Sequence, residues 1–272
     1  MTSNYKMPIR TQESNKGTFG KVLNFAGSKN YIGAAYLSSI SSLKVGAGFC
    51  ALASTKEVIR AVSTLLPEAV YLTREDGLRN IKKHTTFLIG CGLGLERASK
   101  NLFKQVVTKL QKETMPVVID ADGLNLLSEM NIELPKNTVI TPHPLEAARL
   151  LGISVNEVLE DLENSAKKLS AKYKCVSVLK THRTIICDGE NFYVNRHGNS
   201  ALAKAGTGDV LAGIIAGLLA QGLSPYAAAK LGVYLHSRAG ELASKELSEY
   251  SVLASDLPNY LQLAIKELTT QT

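Results

Sequence analysis

The sequence contains 272 residues, of which 31 are Lys or Arg and 24 are Asp or Glu, so its formal net charge is +7. With 45% hydrophobic and 20% charged residues, the composition is that of a folded globular protein and excludes disordered, collagen-like and coiled-coil chains. The longest apolar stretch, residues 210–220, is too short to span a bilayer, and the polar residues 1–17 predict no secretory signal. We therefore expect one cytoplasmic domain over residues 1–272 without a membrane partner.

Short apolar segments alternate with amphipathic segments along most of the chain. The apolar segments are rich in Val, Ile, Leu and Phe and end at Gly, Pro or polar residues, which is typical of buried strands; they are 21–26, 48–53, 69–72, 86–90, 116–120, 137–141 and 175–179. In the amphipathic segments apolar residues recur every three or four positions, which predicts helices; these are 34–44, 56–65, 100–113, 145–151 and 156–173.

The C-terminal part adds a hairpin and further helices. Asp188-Gly189 lies between the short apolar segments 184–187 and 192–194, which favours a β-hairpin. Residues 208–268 are rich in Ala and Leu and are predicted to be helical, with one helix beginning at Ser224-Pro225. The alternation predicts an α/β fold with three layers, α/β/α, around a mainly parallel sheet. Ligands of such folds bind at the carboxyl ends of the strands.

The strongest chemical signal is the segment 203–213, which contains Gly206, Thr207, Gly208 and Asp209 before an apolar helix. Two glycines at this spacing let backbone N–H groups face an anion, and the helix directs its positive end at the same point. A carboxylate in the first turn could accept the proton of a hydroxyl that attacks a bound phosphate, because phosphoryl transfer depends mostly on positioning and charge neutralisation. The alternative is structural: Thr207 caps the helix and Asp209 only favours its dipole.

Two acidic residues follow the predicted strand 116–120. Asp120 and Asp122 lie where carboxylates commonly hold Mg²⁺ beside nucleotide phosphates; the alternative is that Asp122 caps a helix and Gly123 forms a turn. The glycine-rich segment 90–94 follows another strand, but Leu95 stands where a dinucleotide fingerprint requires glycine. This segment therefore indicates only a turn that a ligand can approach closely.

Three further segments are candidate ligand contacts. His143 lies between two prolines that end a strand, which exposes its imidazole at the strand tip. Residues 180–184 form a cationic turn, which is either solvated surface or a clamp for nucleotide phosphates or ribose. The small residues of 27–35 let a flat ligand lie on the backbone, or only allow tight packing of a helix on the sheet.

These segments occur in one order along the chain: 16–17, 20–22, 27–28, 33–35, 44–48, 92–94, 120–125, 141–146 and 206–213. In that order they resemble the ADP- or ATP-dependent NAD(P)H-hydrate dehydratases of the ribokinase-like superfamily, and the resemblance covers residues 9–268. It implies a ribokinase-like fold and a carbon–oxygen lyase for metabolite repair. The hydroxyl of the S form of hydrated NADH or NADPH would be phosphorylated by ADP or ATP, and phosphate would then be eliminated.

The resemblance also implies roles for single residues. Asp209 would be the catalytic base, and the amides of Gly206, Thr207 and Gly208 would form an anion hole for the transferring phosphoryl group. Mg²⁺ is expected, with Asp120 and Glu146 as candidate ligands. The residues that match contacts to the hydrated cofactor are Ala34, Ala35, Gly94, His143 and Asp209. Those that match contacts to the adenine nucleotide are Lys180, Thr181, His182, Arg183, Thr184 and Gly208.

Two alternatives stay open at this point. Another ribokinase-like kinase, acting on a vitamin precursor, would share the glycine motif and the aspartate, although the segment 141–146 favours the dehydratase. A non-catalytic nucleotide or nucleic-acid binder would account for the net charge of +7. The basic residues are scattered, Trp is absent and aromatic residues make up 6%, so no platform for nucleic acid is predicted.

Further expectations concern partners and thiols. Many members of the family carry a second, epimerase domain, for which the chain leaves no room, so we expect the epimerase to be a separate protein. We also expect a homo-oligomer. The four cysteines (Cys50, Cys91, Cys175 and Cys187) form no close ligand pairs, which predicts buried, reduced thiols and no zinc site.

Overall fold

The computed structural model describes residues 5–270, and their strands belong to one sheet. The strands are β1 (Lys21–Phe25), β2 (Phe49–Ser54), β3 (Val70–Thr73), β4 (Thr86–Ile89), β5 (Val117–Ile119), β6 (Thr138–Ile140), β7 (Val176–Leu179), β8 (Ile185–Cys187) and β9 (Phe192–Val194). Their order across the sheet is β3-β2-β1-β4-β5-β6-β7-β8-β9. All pairs from β3 to β7 are parallel, whereas β8 is antiparallel to both of its neighbours.

Helices connect the strands and cover both faces of the sheet. They are α1 (Ile32–Lys44), α2 (Lys56–Ser63), α3 (Arg74–Arg79), α4 (Arg97–Leu110), α5 (Asp122–Ser128), α6 (Pro144–Leu151), α7 (Val155–Glu160), α8 (Leu162–Tyr173), α9 (Thr207–Ala220), α10 (Pro225–Leu247) and α11 (Leu257–Thr270). Short 3-10 helices occupy Ile81–Lys83 and Ser200–Leu202. In residues 5–270, no helix is both long enough and apolar enough to cross a membrane.

Successive residues of each strand pack into two different cores. Val22 belongs to a buried cluster with residues of α1, α9, α10 and α11, whereas the next residue, Leu23, belongs to a cluster with residues of α4, α5, α6 and α8. This is the alternation expected of a sheet that is covered on both faces. The predicted three-layer α/β/α architecture with a mainly parallel sheet is therefore confirmed.

Helix α9 lies directly against α1 because small residues line the contact. A Cβ atom on Gly213 would lie 2.2 Å from the carbonyl oxygen of Ser38, and one on Gly217 would lie 2.5 Å from that of Ser42. Beneath α1, the buried Asn24 of β1 donates hydrogen bonds to the hydroxyls of Ser38 (2.8 Å) and Ser39 (3.0 Å). These contacts fix the start of α9 relative to the carboxyl edge of the sheet.

The seven predicted strands, the hairpin and the helix start at Ser224-Pro225 are confirmed, but the helix predicted over 156–173 is wrong. Residues 156–173 are not one helix, because Asp161 has non-helical backbone angles (φ −143°, ψ 81°) and caps α8 with its side chain. Helices α3 and α5 were not predicted, and 208–268 is interrupted between α9, α10 and α11. The four cysteines are free and buried, as expected.

Candidate active site

Asp120 and Lys180 form an ion pair at the carboxyl edge of the sheet. Asp120 follows β5 directly and its side chain is 1% exposed, and Lys180 follows β7. The ammonium of Lys180 lies 2.7 Å from Oδ1 of Asp120. Burial alone would lower the pKa of Lys180, but the charges of Asp120 and Glu146 outweigh it, so the pKa is raised. Lys180 is therefore a permanent cation in this site.

The backbone between Asp120 and Asp122 is in a conformation that L residues rarely adopt. Ala121 has φ 49° and ψ −120°, which stores strain at this point. The turn lets Asp122 accept a hydrogen bond at 2.8 Å from the N–H of Gly94, which lies in the loop between β4 and α4. Asp122 is the first residue of α5 and not its N-cap, so the structural alternative for this residue is wrong.

The start of α9 exposes backbone N–H groups beside this ion pair. Gly206 is the N-cap with φ 92°, a left-handed conformation that favours glycine. The first helical hydrogen bond runs from the N–H of Val210 to the carbonyl of Gly206 (3.2 Å). The N–H groups of Gly208 and Asp209 come before it and have no acceptor within the helix. Thr207 is not the cap; its hydroxyl donates to the carbonyls of Leu202 and Lys204. The arrangement suits an anion.

Gly208 is where Lys180 approaches this helix. A Cβ atom on Gly208 would lie 3.3 Å from Nζ of Lys180 and 3.8 Å from Oδ2 of Asp120. The absence of a side chain thus lets a cation and free backbone amides face the same space. Both groups attract the oxygens of a phosphate.

The carboxyl group of Asp209 is a weaker acid than an ordinary aspartate. Burial, together with the negative charge of Asp120, raises its pKa to about 7. One ligand atom of each of Cys91, Asp120 and Asp209 lies within 4.8 Å of the others. Burial and the two carboxylates raise the pKa of the Cys91 thiol well above its usual value, so Cys91 stays a neutral thiol. A carboxyl group that titrates near neutral pH is suited to general-base catalysis.

The two candidate metal ligands differ in their fit to Mg²⁺. Asp120 has one carboxylate oxygen outside its 2.7 Å ion pair with Lys180. Glu146 accepts a hydrogen bond from the N–H of His143 (2.8 Å) in a capping box at the start of α6, and burial raises its pKa to about 7. The ammonium of Lys180 also lies 4.0 Å from Glu146. Asp120 therefore keeps one carboxylate oxygen free for a cation, whereas one oxygen of Glu146 is engaged in the capping box.

A cavity of about 790 Å³ opens on one side of Gly208. Five of the six predicted nucleotide contacts line this cavity: Lys180, Thr181, His182, Thr184 and Gly208. The sixth, Arg183, does not. His143, a predicted contact to the hydrated cofactor, also lines the cavity, and burial lowers its pKa.

Much of the cavity wall was not predicted. Ala203, Lys204 and Leu211 belong to the segment 203–213. The residues outside the predicted segments come from the part of the chain before α9 and from α10; they are His197, Gly198, Asn199, Ser200, Leu202, Val233, His236 and Ser237. Burial lowers the pKa of His236 to about 4, so this imidazole is neutral at physiological pH. No motif marks Val233, His236 and Ser237, because α10 reaches the cavity only through tertiary packing.

The other predicted contacts, Ala34, Ala35 and Gly94, lie at the start of α1 and in the loop between β4 and α4. Gly92 has φ 58°, and a Cβ atom there would lie 2.8 Å from Cβ of Ala34, so the start of α1 and the loop that contains Gly94 are adjacent. Ala34 is partly exposed. Ala35 is fully buried and its Cβ packs towards Gly27. The side chain of Ala35 is therefore in the core, and Ala34 is the accessible alanine of the two.

The geometry thus places the carboxyl group of Asp209 beside one loop and close to one cavity. Asp209 contacts Cys91 of the β4–α4 loop on one side, and its neighbour Gly208 lines the cavity on the other. Between them lie a permanent cation and free amides. Such a site can transfer a phosphoryl group from a donor in the cavity to a hydroxyl held beside the loops.

The chain is similar in sequence to known proteins. A family model described as NAD(P)H-hydrate dehydratase matches residues 22–263. The ADP-dependent (S)-NAD(P)H-hydrate dehydratase of Neisseria meningitidis serogroup B is 38% identical over 240 residues, which are 86% of this chain and 80% of that protein. The bifunctional NAD(P)H-hydrate repair enzyme of Coxiella burnetii is 38% identical over 263 residues, 95% of this chain and 53% of that protein. The chain thus spans about half the length of that relative.

The fold is similar to that of a solved structure. The ADP/ATP-dependent NAD(P)H-hydrate dehydratase from Bacillus subtilis, co-crystallized with ATP/Mg²⁺, superimposes with a TM-score of 0.86 at 33% sequence identity. The match covers 96% of this chain and 94% of that one.

Proposed function

This chain belongs to the NAD(P)H-hydrate dehydratase family, and from that premise we propose that it restores NADH or NADPH from the S form of the hydrated cofactor, with ADP or ATP as the phosphoryl donor. The observation that carries the proposal is the position of Asp209. Burial raises the pKa of this residue to about 7, its side chain contacts Cys91 of the β4–α4 loop, and the preceding residue, Gly208, lines the cavity. The family membership favours this reaction over phosphorylation of a vitamin precursor.

The first step is phosphorylation of the hydroxyl on the hydrated ring. Ionised Asp209 accepts the hydroxyl proton while the oxygen attacks the terminal phosphorus of the nucleotide, and the bond from that phosphorus to the bridging oxygen breaks. AMP leaves from ADP, or ADP leaves from ATP. The N–H groups near Gly206, Thr207 and Gly208 and the ammonium of Lys180 are placed to stabilise the charge on the transferring group.

The second step releases phosphate. The ring C–O bond breaks with both electrons on the phosphate, and a proton is lost from the adjacent ring carbon. The ring double bond thereby re-forms, and the reduced cofactor is restored. Phosphorylation makes this step feasible because phosphate is a better leaving group than hydroxide.

The two sides of Asp209 divide the substrates between them. We assign the adenine nucleotide to the cavity, where Lys180, Thr181, His182, Thr184 and Gly208 are its contacts. We assign the hydrated cofactor to the side of Ala34 and Gly94, with His143 at the boundary. Mg²⁺, when bound with the nucleotide, would neutralise phosphate charge, and Asp120 is the residue we propose to hold it. The homo-oligomer and the cytoplasmic location stay predictions.

The test is recovery of the reduced cofactor. The chain is incubated with the S hydrate of NADH or NADPH and with ADP or ATP, and the absorbance of the reduced nicotinamide is followed. We expect recovery that requires a nucleotide and is accompanied by release of AMP or ADP in equal amount. The R hydrate and a nucleotide-free mixture are the controls. The proposal is wrong if neither nucleotide restores the absorbance.

A further inference from the structure

Arg74 joins two loops at the candidate active site, although the helix that carries it follows a strand at the edge of the sheet. It is the first residue of α3, which follows the edge strand β3. Its Nη2 donates hydrogen bonds to the carbonyls of Gly27 (2.9 Å) and Leu93 (3.1 Å). Gly27 belongs to the β1–α1 loop (residues 26–31), and Leu93 belongs to the β4–α4 loop (residues 90–96).

A second contact fixes Arg74 to the β4–α4 loop. Nη1 donates to the hydroxyl of Ser99 (3.3 Å), and that hydroxyl donates to the carbonyl of Leu93 (2.8 Å). The side chain of Arg74 is partly buried, and burial lowers its pKa. A planar guanidinium presents donors in fixed directions, which a flexible ammonium does not. Arg74 is thus built to hold two carbonyls at a set separation.

The position of Arg74 depends on close packing of α3 on the sheet. A Cβ atom on Gly77 would lie 2.6 Å from Cβ of Ala53 and 2.8 Å from the ring of Phe25. The helix can therefore rest directly on β1 and β2. This brings its first residue within reach of both loops.

The two loops carry the residues that we assign to the hydrated cofactor. Ala34 stands in the first turn of α1, just after the β1–α1 loop, and Gly94 lies in the β4–α4 loop beside Leu93. A direct bond, from the N–H of Gly27 to the carbonyl of Cys91 (2.8 Å), also joins the loops. Neither loop contributes to the lining of the nucleotide cavity.

We propose that Arg74 is a positioning residue for the hydrated cofactor, acting by fixing the separation of the β1–α1 and β4–α4 loops. This inference rests on the proposed function, because it takes the loops to be the binding side for that substrate. Loss of the guanidinium releases both carbonyls, so Ala34 and Gly94 no longer keep one spacing. The adenine nucleotide, which is bound in the cavity, is unaffected.

The test compares Arg74→Met with Arg79→Met. Arg79 is the matched control, because it lies on the same helix but is 72% exposed and pairs only with Glu75 and Asp76 at the surface. We expect Arg74→Met to raise the KM for the hydrated cofactor at least tenfold and to change the ADP dissociation constant, measured by calorimetry, less than twofold. Arg79→Met should change neither. Equal effects on both ligands, or the same result with Arg79→Met, would overturn the proposal.

Two further measurements keep the test decisive. If Arg74→Met fails to fold, Arg74→Lys replaces it: the ammonium keeps the charge but has no second nitrogen to hold Ser99 while it contacts the carbonyls, so the KM for the hydrate should still rise at least threefold. An unchanged KM in that variant overturns the proposal. Binding of NADPH, followed by its own fluorescence, reports on the loops without turnover. An inactive wild-type chain would therefore contradict the proposed function, whereas the effect of Arg74→Met on NADPH binding could still be measured.

Discussion

The ammonium of Lys180 lies 2.7 Å from a carboxylate oxygen of Asp120, and the side chain of Asp120 is 1% exposed. The charge of this carboxylate is therefore compensated by the protein itself. Because Asp120 also raises the pKa of Asp209, the same ion pair moderates the basicity of the proposed catalytic residue. Lys180 therefore affects both the stability of the buried Asp120 carboxylate and the pKa of Asp209.

Replacing Lys180 by Met should destabilise the fold strongly. Asp120 would be left as a buried charge without a partner, and we expect the free energy of unfolding to fall by about 3 kcal/mol or more. Lys100→Met is the control, since Lys100 and Glu129 form an exposed ion pair of similar length, 2.9 Å, which should contribute less than about 1 kcal/mol. Chemical denaturation measures both. Equal losses in the two variants would contradict the structural role of Lys180.

Replacing Asp209 by Asn should separate chemistry from binding. The amide keeps the shape of the side chain but cannot accept the hydroxyl proton, so we expect turnover to fall by about 10²–10⁴-fold. The ADP dissociation constant, measured by calorimetry, should stay within about threefold, because the amides of α9 and Lys180 are unchanged. Turnover near that of the wild type would show that another group is the base.

The pH dependence of the reaction should follow the titration of Asp209. Its pKa of about 7 means that the base is ionised above neutrality, so kcat/KM should reach a plateau above pH 7 and fall about tenfold per unit below it. The steady-state rate is measured from pH 5.5 to 8.5 at saturating nucleotide. A profile that stays flat down to pH 5.5 is the outcome that contradicts the assignment.

The same carboxyl group should lower the stability of the fold at high pH. The folded state holds the proton of Asp209 up to about pH 7, against an ordinary pKa of 3.8. Ionisation is therefore disfavoured in the folded state, by up to about 4 kcal/mol above pH 7. Asp209→Asn should be more stable than the wild type at pH 8, and the gain should shrink steadily towards pH 4. Thermal unfolding at both pH values tests this, and a variant less stable at pH 8 would contradict it.

Two glycines with the same backbone angle should respond differently to Ala. Gly206 and Gly222 both have φ 92°, but a Cβ atom on Gly206 would lie 2.8 Å from Leu37, whereas that on Gly222 would meet nothing within 4 Å. Both variants should lose about 1–2 kcal/mol through strain. Only Gly206→Ala should also lose turnover, by about tenfold or more, because it displaces the start of α9. Similar turnover in both variants would argue against the anion-binding role.

The strands were predictable because each is a short apolar segment that ends at a glycine, a proline or a polar residue. The helix predicted over 156–173 was wrong because apolar spacing continues through Asp161, whose side chain caps the next helix instead. Helix α3 is short, and only Thr73, which caps the N–H of Asp76 (3.1 Å), marks its start. In both places a side-chain cap sets where the helix begins, and the hydrophobic pattern does not show it.

The candidate site was predictable where one segment carries the chemistry. Gly206, Gly208 and Asp209 lie together in sequence, and the structure places Asp120 and Lys180 beside them. His236 and its neighbours Val233 and Ser237 were missed because they meet the cavity only when α10 packs on the sheet. Arg74 was missed for the same reason, since its partners are backbone carbonyls that no sequence pattern marks.

The burial of all four cysteines has a practical consequence. Cys50, Cys91, Cys175 and Cys187 are buried free thiols, and thiol reagents react with accessible thiolates. A cysteine introduced at the exposed Lys82, which is 87% exposed, would be the preferred site of labelling in the folded chain. A fluorophore placed in this way could report ligand binding without any prior removal of native thiols.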